Sequence, residues 1–311
     1  MSDLERAVET VVGPCLGVAP GEEVVIVADP TTERIAAALR AAAARRGAEP
    51  LLCLMEPRSV DGEEPPAAVA AALAAASVFI APTARSLSHT RARKAATERG
   101  ARGATLPGVT EDMLARLMAC DFELMAARSA AVAELLTAAS EAHVTCPRGT
   151  DLHLDLTGRT GIADDGRMTE PGAFGNLPCG EGFIAPLGGE GVAYVVSLAT
   201  LGKPDAPLRL EIAGGRLASP AGEWGALLDA AGTAGRNLAE LGVGTNERAT
   251  LTGNILEDEK ILGTLHISFG ASAGFGGTVA VPVHLDALIE APTLDVGGAR
   301  VLEDGRFVLA A

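Results

Sequence analysis

The sequence predicts an α/β protein, with an N-terminal parallel-sheet α/β domain followed by an α+β domain in which metal or acid–base chemistry would sit. Three observations carry that expectation. Between Glu22 and Pro107, short apolar runs alternate with amphipathic or Ala-rich stretches, as in βα units around a parallel sheet. Beyond Glu141 the pattern changes to short strands separated by Gly-containing turns. Four of the five histidines (His143, His153, His266 and His284) also lie beyond that point, against His89 alone before it. The domains are accordingly set at residues 1–141 and 142–311.

Taken in order, the first strand is Val24-Val25-Ile26-Val27-Ala28, a continuous apolar run that stops at Asp29-Pro30 and so reads as buried on both faces. Thr31 or Thr32 is expected to cap the next helix, which carries Ile35 and Leu39 one turn apart and ends at Gly47 after the basic pair Arg45-Arg46. A strand at 51–55, a helix at 65–76, a strand at 78–81, a basic helix around 91–99 and a short strand near 104–106 continue the alternation. Two helices are expected over 111–120 and 123–140. The second domain opens with a hairpin, 142–146 and 152–157, around Pro147-Arg148-Gly149-Thr150. Gly214-Gly215 turns another hairpin, and Gly297-Gly298 and Asp304-Gly305 divide a terminal meander. Helical signal is read over 223–241 and around 256–263.

Composition narrows the function. With 311 residues, 48% hydrophobic and 21% charged, the chain has material for a large core. A net charge of −15 repels phosphate backbones and anionic lipids, so nucleic acid is not an expected partner. The longest apolar run, 69–82, is interrupted by Ser77 and falls short of the about 20 residues that cross a bilayer, so no membrane span is expected. The opening Met-Ser-Asp-Leu-Glu-Arg lacks the pattern of a secretory signal, and the expected location is the cytoplasm. Cys15, Cys53, Cys120, Cys146 and Cys179 are scattered without a C-x-x-C and read as free thiols. Dinucleotide and P-loop motifs are absent.

Several segments compete for the chemistry. In Val281-Pro282-Val283-His284-Leu285-Asp286 the His and Asp share one face of an extended strand and can bind one ion together. His266 sits in an apolar stretch after the charged Asp258-Glu259-Lys260, where a buried structural His is the plainer reading, and Glu259 with Lys260 reads equally as a helix-surface ion pair. Asp151, His153 and Asp155 line one strand face but alternate with Leu152, Leu154 and Leu156, the pattern of a half-exposed strand with a solvated side. Glu181 lies in a Gly/Pro-punctuated loop. Glu240 follows the expected helix, where acidic charge is unfavourable and a compensating cation would serve.

Three strings taken together resemble the thermophilic aminopeptidase T family of metallopeptidases: Asn176 to Pro186 (NLPCGEGFIAP), the run from Ala239 through Gly270 containing AELGVGTN and LEDEKILGTLHISFG, and VPVHLD ending at Asp286. The resemblance implies metal ligation by Glu181, Glu240, His266, His284 and Asp286, with Glu259 as a general base or a partner behind the ligands. It also implies one or two divalent ions (zinc, manganese, cobalt or Fe(II)) and a homodimer. Such a site lowers the pKa of a bound water and polarises an amide carbonyl, so the leading expectation is a hydrolase acting on a small amide or short peptide. The chain is also similar to the iron-dependent 2,5-dihydroxypyridine 5,6-dioxygenase, whose two-His-one-Asp set corresponds to His266, His284 and Asp286 and gives the alternative expectation, a ring-cleaving dioxygenase. Five ligands favour hydrolysis, because added carboxylates leave fewer open positions on one iron. Ala273, standing where the aminopeptidases carry a metal-site Tyr, favours the alternative.

Overall fold

The computed structural model describes residues 1–310 as two compact units, Met1–Cys120 with Gly166–Cys179, and Asp121–Asp165 with residues 180–310. In the first unit the strands β1 (Glu23–Ala28), β2 (Glu49–Leu54), β3 (Val78–Thr83), β4 (Arg102–Pro107) and β8 (Phe174–Asn176) form a parallel sheet of order β2-β1-β3-β4-β8. Burial of Val24 through Ala28 and of all of β3 matches their continuous apolar runs. The helices are α1 (Asp3–Thr10), α2 (Glu33–Arg45), α3 (Ala67–Ala75), α4 (Arg91–Glu98) and α5 (Glu111–Leu117). Thr32 occupies the cap position of α2, but its hydroxyl donates to the Pro82 carbonyl at 2.6 Å instead of capping, tying the helix start to β3.

The second unit begins with α6 (Phe122–Ala138), earlier than the expected division at Glu141. The reason is packing. An added Cβ at Gly182 would lie 2.7 Å from Val132, and one at Gly161 would lie 2.3 Å from the Ala133 carbonyl, so α6 seats directly on these glycine-lined segments. Residues 166–179 return to the first unit because Phe174–Asn176 pairs with β4 and the Asn176 side chain accepts from Thr105 Oγ1 at 2.7 Å.

Two sheets build this unit. The strands β5 (Glu141–Thr145), β6 (Asp151–Asp155), β10 (Gly188–Val195), β12 (Leu208–Ala213), β13 (Arg216–Leu217), β17 (Thr293–Val296), β18 (Ala299–Glu303) and β19 (Arg306–Phe307) form one, of order β13-β12-β10-β6-β5-β17-β18-β19. The other, β11-β16-β15-β14-β9-β7, uses β7 (Ile162–Asp164), β9 (Glu181–Ile184), β11 (Ser197–Leu198), β14 (Leu238–Gly244), β15 (Leu265–Gly270) and β16 (His284–Ile289). Leu152, Leu154 and Leu210 of the first join Leu241, Ile267 and Phe269 of the second in one core, with Trp224 edge-on to Phe269.

The expected hairpins at Gly214-Gly215 and Gly297-Gly298 and between β5 and β6 are present. The expected helix over 223–241 is not. Helix α7 (Gly222–Asp229) gives way to a 3₁₀ turn at Thr233–Arg236, and Leu238–Gly244 is a fully buried strand. Gly232, at φ 72°, breaks the helix, and the run Leu238 to Gly244 is then claimed by strands on both sides. The second helix is also shorter than expected, α8 spanning Ile255–Asp258. Among the described residues no helix is long and apolar enough to cross a membrane.

Candidate metal centre

Strand alternation assembles the centre. The pairings Gly242 with His266, Glu240 with Ser268, Ser268 with Asp286, Gly270 with His284 and Gly244 with Glu181 put all these residues on one face of the six-stranded sheet. The opposite face holds Leu241, Val243, Leu265, Ile267, Phe269, Leu285 and Ala287 in the core. A polar face that is itself buried results, with His266 at 1% exposure and Glu181 and Glu240 at 6%. Glycine makes room in it: a Cβ on Gly242 would stand 2.1 Å from His266 Cε1 and 2.2 Å from Nε2. The Glu-Leu-Gly string thus supplies a carboxylate and, two residues on, the vacancy over which the imidazole lies.

All five expected ligands meet in one chain of contacts. His266 Nε2 lies 3.1 Å from Glu240 Oε1 and 3.3 Å from Glu181 Oε2, and ligand atoms of these three residues lie within 4.8 Å of one another. His284 Nε2 lies 3.5 Å from Glu240 Oε2 and 3.2 Å from Asp286 Oδ1. Behind the ligands, His284 Nδ1 donates to the Ala271 carbonyl at 2.8 Å, which leaves Nε2 facing the carboxylates. Ser268 Oγ donates to Asp286 Oδ1. Neither Glu181 nor Glu240 is where its sequence context suggested: Glu181 opens a buried strand instead of sitting in a surface loop, and Glu240 lies mid-strand instead of after a helix.

Glu259 is correspondingly not on a helix surface. It pairs with Lys260 at 2.9 Å, but both are buried, and the Lys260 ammonium also reaches Glu181 and, at 3.3 Å, Asp164. Asp164, missed in the sequence, comes from the three-residue β7, which has too little pattern to be noticed. Burial pushes the Asp164 carboxyl up to about 7 and that of Glu259 up to about 8, against the opposing pull of Lys260. Burial works to lower the Lys260 pKa, yet Glu181, Glu259 and Asp164 hold it well above the ordinary range.

The donor set calls for a cation. Burial works to lower both imidazole pKa values, but the carboxylates outweigh it, Glu240 and Glu181 holding His266 up to about 9 and Asp286 holding His284 up to about 10. Burial likewise works to raise the Asp286 carboxyl, and His284 holds it well below its usual range. Glu181 Oε2 and His266 Nδ1 are buried without a hydrogen bond. Two imidazoles and several carboxylates converging in this way fit a divalent transition ion, which would take the place of the protons.

Gly242→Ala is expected to displace the His266 ring and weaken metal binding by about tenfold or more, with the fold retained. Titration of the metal-free variant with metal against a fluorescent chelator measures it.

The third segment weighed in the sequence lies elsewhere. Asp151, His153 and Asp155 are exposed on the outer face of β6, with Leu152 and Leu154 buried beneath.

Comparison with known proteins bears on this arrangement. The family model NicX, 2,5-dihydroxypyridine 5,6-dioxygenase, matches residues 3–196, more than half of the chain. The structure of 2,5-dihydroxypyridine dioxygenase from Pseudomonas putida KT2440 superposes with a TM-score of 0.83 at 20% identity, covering 100% of this chain and 99% of that one. Wild-type AmpT from Thermus thermophilus gives 0.71 at 21% identity, covering 99% of each chain. At these identities the two structures speak to the fold, which is shared end to end. No curated protein matches in sequence. The resemblance to the aminopeptidases is therefore one of fold, whereas by its sequence the chain belongs to the 2,5-dihydroxypyridine 5,6-dioxygenase family.

Proposed function

We propose that the protein is a non-haem Fe(II)-dependent dioxygenase that opens a small dihydroxylated nitrogen heterocycle or related phenolic ring, with His266, His284 and Asp286 as the iron ligands. The observation that carries this reading is the two-His-one-carboxylate set on a single sheet face of a chain with this family membership. It reverses the order of the sequence-based expectations, in which an aminopeptidase-type hydrolase came first. Ala273, in place of the aminopeptidase Tyr, supports the same choice.

Lys260 removes the reason for which five ligands would favour hydrolysis. This buried ammonium is ion-paired with Glu181, Glu259 and Asp164, so these carboxylates already have a cation and need not crowd an iron. When bound, Fe(II) supplies a redox-active centre with open positions for two substrates. The chain supplies the rest. Ala271 fixes the His284 tautomer through Nδ1, and Ser268 fixes the Asp286 carboxylate. Glu240, between the two histidines and without a Lys partner, is placed to accept the proton of a ring hydroxyl. Glu259, held by Lys260, acts behind the ligands and not as the base.

Metal selectivity tests the reading. Metal-free protein reconstituted without oxygen is expected to consume 2,5-dihydroxypyridine only when loaded with Fe(II) and then exposed to oxygen. The zinc form should be inactive on it. Cleavage of an aminoacyl amide by the zinc, cobalt or manganese form under anaerobic conditions would restore the hydrolase reading.

A further inference from the structure

The outer face of the eight-stranded sheet carries a second group of ligand-type side chains, in a different sheet from the centre above. β5 and β6 pair so that His143 lies opposite His153, while Asp151 stands two residues before His153 on the same face. The two imidazoles stack with centroids 4.0 Å apart and planes 6° apart. His143 Nε2 lies 2.8 Å from Asp151 Oδ1, and His153 Nε2 lies 3.7 Å from the same oxygen. Both rings thus direct the same nitrogen at one carboxylate oxygen, and one ligand atom from each of the three residues lies within 4.8 Å of the other two. On the next strand Glu190 is paired with His153 and adds negative charge beside the group.

We propose that His143, Asp151 and His153 form a surface site for a divalent transition ion of the zinc class, three protein ligands being completed by water. Two imidazoles and one carboxylate are a donor set of borderline softness, suited to zinc and not to magnesium or calcium. A tetrahedral ion with bonds of about 2.0–2.1 Å needs its ligand atoms about 3.3 Å apart. The observed 2.8 and 3.7 Å lie on either side of that value, and because an ion lies in the plane of each imidazole that binds it, the two stacked rings must rotate out of their parallel arrangement to share one. The strands beneath are fixed, since Val144, Leu152 and Leu154 between the ligands are buried in the core. No single stretch of sequence reveals the site, because one ligand lies across the turn from the other two. The reading of Asp151, His153 and Asp155 as the solvated face of a half-exposed strand agrees with their exposure, and the proposal adds His143 and an ion to the first two.

Equilibrium dialysis of the purified protein against micromolar zinc chloride, with histidine ring signals followed by NMR, tests the proposal. Wild type is expected to take up one zinc per chain beyond the ion held at the His266 centre, with shifts of the His143 and His153 signals. His143→Asn and His153→Asn should each weaken this uptake at least tenfold while leaving the metal content of the His266 centre unchanged. Asp155→Ala, a substitution on the same face outside the trio, should leave uptake as in wild type. Equal zinc uptake by the His143→Asn/His153→Asn double variant overturns the proposal. So does wild type whose two ring signals do not move at zinc concentrations up to about 100 μM, which is a dissociation constant too weak for a built site.

Discussion

Substituting His284 by alanine is expected to strip the iron from the protein while leaving it folded. Structural zinc sites are worth about 10–16 kcal/mol over four ligands, so one ligand accounts for about 3 kcal/mol, or roughly a hundredfold in affinity. The fold survives because His284 projects from the polar face of β16, whereas Leu285, Ala287 and Ile289 on the other face carry the packing. Iron content by elemental analysis and far-UV circular dichroism check the two halves. A pH signature accompanies the change. In the metal-free protein the carboxylates raise the His284 pKa from 6.5 to about 10, so protonated His284 stabilises the folded state fully below about pH 6.5, and this stabilisation is lost as the pH rises through 10. The metal-free variant should lack that part of the alkaline decline. An unfolded variant, or one that keeps its iron, would mean that His284 serves the scaffold.

Lys260→Met is expected to have the largest effect on stability of any single substitution in the centre. The ammonium is 1% exposed and shared by Asp164, Glu181 and Glu259, so above about pH 8, where the Asp164 and Glu259 carboxyls ionise beside it, its removal leaves buried carboxylates without a counter-charge. Breaking a buried ion pair on one side costs about 3–5 kcal/mol. At about 2–4 °C per kcal/mol for a unit of this size, the Tm should fall by roughly 10 °C. Neutralising the partners as well, in Lys260→Met/Glu181→Gln/Glu259→Gln, should return much of the loss, because the cost lies in the uncompensated charge. Calorimetry on the metal-free forms measures both. A loss below about 1 kcal/mol would place the group in contact with water, where ion pairs contribute little.

The sequence made the βα alternation legible because β1 and β3 carry continuous apolar runs, as in Val24 to Ala28 and Val78 to Ala81. The centre was legible for a different reason. In His284–Ile289 the polar residues occupy every second position, so His284 and Asp286 share a face by strand geometry alone, whereas Glu181 and His266 entered the ligand set only through the family resemblance. What escaped depended on contacts between distant segments. Glu240 was read after a helix because helix-forming residues dominate 223–241, and only Gly232 and the neighbouring strands turn Leu238–Gly244 into the middle of a sheet. Lys260 was visible beside Glu259 but not its burial, which Asp164 and Glu181 impose from remote strands. The division at Glu141 came too late because a helix shows no sign in its own sequence of which sheet it covers.

The most direct test of the oxygenase reading is to follow the oxygen atoms. Iron-loaded protein is given 2,5-dihydroxypyridine under ¹⁸O₂ in ordinary water, and the ring-opened product is examined at once by mass spectrometry. The account expects both labelled atoms in the product, with no reaction in the metal-free protein or in His284→Ala. An unlabelled product, or one that takes its label only from H₂¹⁸O, would contradict it and return the centre to a metal-activated water.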